Sequence, residues 1–335
     1  MIASLIAMAM ATPVVIAHRG ASGERPEHTL AAYELAISQG ADFIEPDLVS
    51  TKDGVLVARH ENEISETTDV AARPEFADRK TSKTIDGQKV TGWFTEDFTL
   101  AELKTLRARE RLPQMRRSNT RYDGGYEVPT LGEVITLVKA RQASTGRTIG
   151  IYPETKHPSY FRSIRLPLEE TLVKTLDAAG YRDAGDPVFI QSFEVGNLQR
   201  LRKMTSVRLI QLMAGEYGPP DMPGVTYAEM ATPQGLKSIA QYAHGIGAEK
   251  AMVIPRDASG ALAEPTSLVR DAHAAGLQVN VWTFRRENYF LPQTLRRSDD
   301  VTAIGNIGAE IKAYLATGID GFFTDNVADG VAASR

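Results

Sequence analysis

Short apolar runs alternate with amphipathic segments along most of the chain. The first run, residues 14–17, consists of Val, Ile and Ala and leads directly into His18-Arg19-Gly20. Runs of this length and composition are typical of strands that are buried on both faces of a sheet. In the next segment, residues 28–37, apolar side chains recur at helical spacing and stop before Gly40, which predicts a helix ended by a glycine.

The same layout recurs to the end of the chain and predicts eight strands separated by helices. We expect the strands to end near His18, Asp47, Lys156, Phe193, Met213, Pro255, Phe284 and Asp325. Further helices are predicted over residues 131–142, 168–179, 196–204, 234–242, 267–275 and 308–317. Alternating strands and helices favour a parallel sheet. Eight such units predict an α/β fold of the TIM (β/α)8 barrel type, with its active site at the carboxyl ends of the strands.

Two features fall outside this regular alternation. Asp53-Gly54 is a hairpin signal and adds an extended piece that ends at His60. Residues 61–126 are polar, contain clusters of Gly, Asp and Thr, and include one predicted helix, 100–109. We interpret them as a small insertion after the second strand. Residues 13–335 are then predicted to form a single barrel domain, a size that such barrels commonly reach.

Composition narrows the classes of function. The chain has 335 residues, a formal net charge of −4 and no Cys. This charge gives no reason to expect nucleic acid or an anionic membrane surface as a partner. The absence of Cys excludes disulfides, zinc–thiolate sites and a thiol nucleophile. The oligomeric state stays open.

The amino terminus carries an apolar segment without charged side chains. Residues 1–11 are too short to span a bilayer, which needs about 20 apolar residues, so no stable membrane insertion is expected. The small residues Ala9 and Ala11 flank Met10 and offer a signal-peptide cleavage site. We expect residues 1–12 to be a signal-peptide remnant and the protein to be periplasmic or secreted, with a cytoplasmic location as the alternative. Whether the segment is cleaved stays open.

Acidic side chains follow two of the predicted strands. Glu45 and Asp47 are two residues apart, so both project from the same face of a strand, and the same rule pairs Glu154 with Lys156. Three converging carboxylates form an oxygen-rich site for one hard divalent cation, Ca²⁺ or Mg²⁺. The residues do not distinguish between the two metals.

Two of the six histidines have a distinctive position. His18 and His60 each close an apolar strand, and near neutral pH a histidine can act as an acid or a base. Two histidines beside a metal suit the cleavage of a phosphate ester, although which one is the base stays open. Arg19 and Lys156 would hold the phosphate oxygens. We assign structural roles to the other four histidines. His28 lies at the start of a predicted helix, where it would cap the helix, His157 directly follows Lys156, and His244 and His273 lie in predicted helices.

These residues belong to an ordered set of motifs. The set runs from 14 to 326 and contains His18-Arg19-Gly20, Pro26-Glu27-His28-Thr29-Leu30, Glu45-x-Asp47, Gly54-x-x-Val57-x-x-His60, Val128-Pro129-Thr130-Leu131, Glu154-Thr155-Lys156, Gln191-Ser192-Phe193 and Asn280-x-Trp282-Thr283. With it the chain resembles the glycerophosphodiester phosphodiesterases, in particular the longer bacterial, often periplasmic type. The family usually has Asn at the position of His28 and Asp at the position of Glu61.

The resemblance implies a TIM barrel with an insertion after the second strand and a metal-dependent phosphodiesterase. It implies catalytic roles for His18 and His60 and phosphate contacts for Arg19 and Lys156. We add Gln191 and Trp282, at the tips of the fourth and seventh strands, to the substrate-binding residues. The implied metal ligands are Glu45, Asp47 and Glu154.

The implied partner is a small-molecule substrate, a glycerophosphodiester. The implied reaction converts it to sn-glycerol 3-phosphate and an alcohol by paired-histidine acid–base catalysis. The preferred alcohol and the formation of a cyclic phosphate stay open. A second hypothesis is phospholipase D-like cleavage of lysophospholipid or sphingomyelin, as in the related spider toxins, which carry a disulfide and lack so large an insertion. A non-catalytic surface binding protein and a barrel with unrelated chemistry are two further hypotheses, because a fold does not fix a function.

Overall fold

The computed structural model of the protein describes residues 12–215 and 217–335. The predicted signal-peptide remnant therefore lies outside the described residues, apart from Thr12. No helix in the described part of the chain is both long enough and apolar enough to cross a bilayer.

The described chain alternates strands and helices in the predicted order. The strands are β1 (Val14–His18), β2 (Phe43–Glu45), β3 (Asp47–Ser50), β4 (Leu56–Ala58), β5 (Thr81–Ile85), β6 (Gln88–Gly92), β7 (Gly150–Ile151), β8 (Glu154–Thr155), β9 (Phe189–Ser192), β10 (Arg208–Met213), β11 (Gly245–Glu249), β12 (Gln278–Phe284) and β13 (Gly321–Thr324). The helices are α1 (Leu30–Ser38), α2 (Leu100–Leu103), α3 (Leu131–Thr145), α4 (Pro158–Ser163), α5 (Leu168–Ala178), α6 (Val195–Leu201), α7 (Tyr227–Met230), α8 (Pro233–Ile239), α9 (Lys250–Val253), α10 (Leu268–Ala274), α11 (Ile307–Leu315) and α12 (Val327–Ser334).

The parallel strands form a TIM-barrel-like ring, which confirms the predicted fold class. β1 pairs with β13 on one side and with β2 on the other, and β8 to β13 pair in succession. β2 pairs with β7, and β3 pairs with β8 in the same register. Each of these two barrel strands is interrupted at a proline, Pro46 or Pro153, because proline has no N–H to donate to the ladder. The carbonyl of Pro46 still accepts a hydrogen bond from Glu154 N at 3.0 Å, so the ring stays continuous.

The alternation of side chains along these strands builds two layers inside the barrel. The lower layer is apolar and consists of Ile16, Phe43, Tyr152, Phe189, Ile210 and Phe323, all buried. The residue two positions further along each strand faces the same interior, nearer the carboxyl end. His18 thus follows Ile16, and Glu45 follows Phe43. The intervening residues, such as Val15 and Ile44, face outward and pack in the larger core between sheet and helices.

The prediction for the sixth strand is wrong. The strand is β11, Gly245–Glu249, and the apolar run assigned to residues 251–255 is largely the short helix α9. A Cβ at Gly245 would lie 2.7 Å from Gln278 O, and one at Gly247 would clash with the side chain of Leu212. Glycine is required here because the backbone of Gln278 and the side chains of Ile210 and Leu212, on the two neighbouring strands, already occupy the space that a Cβ would fill. Because Gly245 and Gly247 take the two interior positions of β11, the strand lacks the hydrophobic pattern from which a strand is predicted.

The segment 61–126 carries structure of its own and packs over the carboxyl face of the barrel. The antiparallel pair β5 and β6 turns at Asp86 and Gly87, both with positive φ, as a two-residue Asp-Gly turn requires. The predicted helix 100–109 ends at Leu103, because the residues beyond it pair with other parts of the segment, as when Ala108 N donates to Tyr126 O. Short 3-10 turns occupy Val70–Ala72, Pro74–Arg79, Thr95–Asp97 and Arg117–Tyr122.

The turn after β1 requires glycine for two separate reasons. Gly20 has a φ of +84°, and a Cβ there would lie 2.7 Å from the backbone carbon of Ala32. Gly54, in the turn between β3 and β4, has a similar φ of +78°, but no heavy atom lies within 4 Å of the position of a Cβ there.

We expect Gly54→Ala to lower the free energy of unfolding by about 1 kcal/mol through backbone strain alone. Gly20→Ala should cost clearly more, because the backbone of Ala32 must also move. Denaturant unfolding of both variants measures the difference. Equal losses would contradict the close contact at Gly20.

Candidate active site

The polar layer at the carboxyl ends of the strands opens into a cavity of about 300 Å³. The cavity is lined by all of the predicted site residues except Asp47, namely His18, Arg19, Glu45, His60, Glu154, Lys156, Gln191 and Trp282. Asp47 lies beneath them and is 1% exposed. The apolar layer below closes the barrel, so this site is reached from the carboxyl side.

Three buried carboxylates meet at the floor of the cavity. Oxygens of Glu45, Asp47 and Glu154 lie within 4.8 Å of one another. Asp47 Oδ1 is buried and accepts no hydrogen bond, and the same is true of Gln191 Oε1 nearby. Gln191 Nε2 donates to Glu45 Oε1 at 3.3 Å. Free acceptor oxygens in a buried acidic group fit a hard divalent cation, which binds through oxygen.

Burial and mutual repulsion give the three carboxylates different pKa values. Burial and the charges of Asp47 and Glu154 raise the pKa of Glu45 well above its ordinary value. Burial raises the pKa of Glu154 to about 8, opposed by Lys156. Burial also acts against ionisation of Asp47, but Lys156, His60 and His28 together hold its pKa well below the usual range. One carboxylate is thus firmly ionised and the other two hold protons readily, as expected for acids that share a small buried space.

Residues near the end of β1 hold this acidic group in place. The backbone of Arg19 has a φ of +60°, and its N–H donates to Glu45 Oε2 at 2.8 Å. Its guanidinium contacts Glu27 Oε2 at 3.0 Å and Asp47 Oδ2 at 3.3 Å. His28, expected to cap a helix, is fully buried instead, and its Nε2 lies 2.9 Å from Asp47 Oδ2. In the sequence, His28 is marked by its place in the motif Pro26–Leu30, which does not indicate that the ring is buried against Asp47.

Each of the two cavity histidines has a carboxylate at Nδ1. His18 Nδ1 lies 2.6 Å from Asp325 Oδ1, and His60 Nδ1 forms a hydrogen bond with Glu61. This arrangement directs the Nε2 atom of each ring away from its carboxylate. His60 Nε2 lies 3.3 Å from Lys156 Nζ. A carboxylate at Nδ1 orients an imidazole and stabilises its cation once it has taken a proton.

Two arginines, Arg116 of the insertion and Arg285 directly after β12, complete the environment of His18. Asp325 Oδ2 accepts hydrogen bonds from Arg116 Nη2 at 2.5 Å and from Arg285 Nε at 2.8 Å. Burial disfavours the charge on Asp325, but the cations Arg285 and Arg116 and the hydrogen bond with His18 hold its pKa well below the usual range. Arg285 also lines the cavity. Neither arginine was among the predicted site residues, since both lie in polar segments without strand or helix periodicity.

The remaining predicted residues lie on the cavity wall with defined partners. Lys156 Nζ donates to Glu154 Oε1 at 2.8 Å. Trp282 Nε1 donates to Gly247 O at 2.9 Å, and its ring lies edge-on to Phe193, with 5.9 Å between the centroids. His244 lies just before β11 rather than in a helix, and its Nδ1 accepts a hydrogen bond from Leu209 N.

Comparison with known proteins shows that the sequence is similar to phosphodiesterases. The model of the "Glycerophosphoryl diester phosphodiesterase family" matches residues 18–329. A glycerophosphodiester phosphodiesterase of Arabidopsis thaliana is 37% identical over 326 residues, which cover 93% of this chain and 83% of the relative. The glycerophosphodiester phosphodiesterase of Treponema pallidum is 30% identical over 328 residues, covering 90% of this chain and 88% of the relative.

A solved structure supports the same fold. The phosphodiesterase of Oleispira antarctica, determined in complex with the product sn-glycerol-3-phosphate, aligns with a TM-score of 0.61. Its sequence is 20% identical, and the alignment covers 96% of each chain. This likeness bears on the barrel architecture.

The burial of His18 makes stability depend on pH. Burial and the nearby charge of Arg19 lower the pKa of His18 from 6.5 to about 4, against the opposing effect of Asp325. Between these values the unfolded chain binds a proton that the folded protein does not. The free energy of unfolding should therefore be fully retained above pH 6.5 and fall as the pH decreases toward 4, by a contribution on the order of 3 kcal/mol.

Denaturant unfolding of the metal-free protein between pH 4 and 7 tests this expectation. His18→Gln should remove part of the pH dependence. His273→Gln, in which the replaced ring is 40% exposed, should retain it. Identical pH slopes for the wild type and His18→Gln would contradict the buried neutral histidine.

Proposed function

The chain belongs to the glycerophosphoryl diester phosphodiesterase family, and we propose that it hydrolyses glycerophosphodiesters to sn-glycerol 3-phosphate and an alcohol with the help of a divalent cation. The observation that carries the proposal is the convergence of two histidines, a buried acidic triad and a lysine in one cavity. The Oleispira antarctica phosphodiesterase of the same fold was determined with this product.

The acidic triad is the proposed cation site. Glu45, Asp47 and Glu154 would hold one Ca²⁺ or Mg²⁺, with the unpaired Oδ1 of Asp47 as an available ligand. A cation bound there would neutralise the crowded carboxylates and polarise a phosphoryl oxygen. His28 and Arg19 keep Asp47 ionised and oriented, because both contact its Oδ2 atom.

His18 and His60 are the proposed acid–base pair. Both rings are neutral near pH 7, since burial lowers the pKa of His18 to about 4 and that of His60 to about 3. One imidazole accepts the proton of the attacking oxygen, and the resulting cation is stabilised by its carboxylate, Asp325 or Glu61. The other ring acts as the acid in its imidazolium form, because the negative charge of a bound phosphodiester and the ring's own carboxylate raise its pKa in the complex, and it delivers that proton to the departing alkoxide. The phosphate charge would be held by Lys156 and Arg19, with Gln191 and Trp282 lining the same space.

Removal of either histidine should suppress the reaction. We expect His18→Ala and His60→Ala each to lower kcat for release of glycerol 3-phosphate from glycerophosphocholine by about 10²–10⁴-fold, because each removes one proton transfer. His273→Ala changes a half-exposed histidine on α10 and serves as the matched control. Full activity in either cavity variant would refute the acid–base pair.

Removal of the cation should also suppress the reaction. Treatment with EDTA should abolish activity, and addition of Ca²⁺ or Mg²⁺ should restore it. Because a bound ion stabilises the folded state, the same addition should raise Tm in the wild type and not in Glu154→Gln. Activity and Tm that are both indifferent to chelation would refute the three-carboxylate site.

A further inference from the structure

A second cavity, which we call the side cavity, opens beside the active-site cavity and has a volume of about 260 Å³. Glu154, Lys156 and Phe193 line both cavities. A phosphodiester whose phosphate lies between His18 and Lys156 can therefore extend one of its two ester groups into the side cavity.

Aromatic rings form much of the side cavity. Phe193, Tyr217 and Tyr227 all line it. Phe193 and Tyr227 are packed edge-on with their centroids 6.1 Å apart, and Tyr227 Oη donates to Phe193 O at 2.9 Å, which fixes both rings. Tyr217 is 69% exposed at the mouth of the cavity. An exposed aromatic ring beside two fixed ones is suited to an organic cation, which is attracted to the face of such rings.

Carboxylates provide the complementary charge. Glu194 lines the cavity, is 1% exposed, and accepts hydrogen bonds from the backbone N–H and the hydroxyl of Ser159, both neutral groups. Asp86 lines it from the tip of the β5–β6 hairpin, where the Asp-Gly turn directs it to His157 Nδ1 at 2.6 Å. The insertion and the barrel thus each contribute one acid.

The charges around these acids are mainly negative. Burial raises the pKa of Glu194 to about 7; Ser159 opposes this shift, and the negative charges of Asp221 and Asp86 increase it. Burial also raises the pKa of Tyr227, and Asp221, Glu154 and Glu194 raise it further. The cation Lys156 lies at the boundary with the active site and is paired with Glu154 at 2.8 Å.

We propose that the side cavity binds the alcohol group of the substrate and selects alcohols that carry a positively charged amino or ammonium group. This inference rests on the proposed function, because it assigns a position to the leaving alcohol of that reaction. Recognition combines the face of Tyr217 with the carboxylates of Glu194 and Asp86, while Phe193, whose ring centroid lies 5.7 Å from Lys156 Nζ, forms the apolar wall toward the active site.

A pair of substrates that differ only in charge tests the inference. One is glycerophosphocholine, and the other is its neutral carbon isostere, in which a tert-butyl group replaces the trimethylammonium group. We expect the wild type to have a kcat/KM for the choline ester that is about tenfold higher than for the isostere, the size expected of a cation–π contact.

Variants of the side cavity should reduce this ratio. Asp86→Asn keeps a residue suited to the turn and removes a charge, and Asp78→Asn makes the same change at an exposed site outside the cavity. Tyr217→Leu removes the aromatic face, whereas Tyr217→Phe keeps it. We expect the ratio to fall about threefold or more in Asp86→Asn and Tyr217→Leu, and to stay at the wild-type value in Asp78→Asn and Tyr217→Phe.

The outcomes separate this inference from the proposed function. Hydrolysis of both esters at equal kcat/KM by the wild type would overturn the inference and leave the function standing. If neither ester released glycerol 3-phosphate, the proposed function would fail. Calorimetric titration with the two esters would then decide the inference: tighter binding of the choline ester that weakens in Asp86→Asn supports it, and equal binding overturns it.

Discussion

The repulsion among three buried carboxylates is the constraint that organises the upper part of the barrel. Glu45, Asp47 and Glu154 share a space less than 5 Å across, where water screens their charges poorly. Neighbouring elements supply donors and cations to that space, among them the N–H and guanidinium of Arg19 and the ammonium of Lys156. The same crowding makes a bound divalent cation favourable, since it would compensate charge that these protein groups leave in excess.

The lower, apolar layer makes this arrangement stable. Its aromatic and branched side chains close the barrel beneath the acids, and the glycines of β11 leave room for them. The insertion performs the corresponding role above, where Arg116 holds Asp325 and the Asp86 hairpin borders the side cavity. The polar site therefore lies between the apolar layer and the insertion, and only folding brings these two parts of the chain to the two sides of the site.

Part of the site was predictable from residue spacing. Val15 and Ile16 mark β1 as a buried strand, and the two-residue repeat that makes Ile16 face the interior also brings His18 there. The Asp86-Gly87 pair is a hairpin signal of the same kind as Asp53-Gly54, but the residues around it are polar and show no strand pattern. β11 and the buried position of His28 were missed, since neither glycine nor a single histidine produces a periodic pattern.

The sequence by itself determined the barrel fold, the family and eight of the residues that line the cavity. Strand periodicity is local, and each motif residue lies within a few positions of a readable apolar run. Only the tertiary structure decided which partner each of these residues has. Arg116 meets Asp325 across 209 positions and Gln191 meets Glu45 across 146, and such pairings depend on ring closure and on the path of the insertion. The side cavity arises in the same way, from Asp86, Glu194 and Tyr217 on three separate loops.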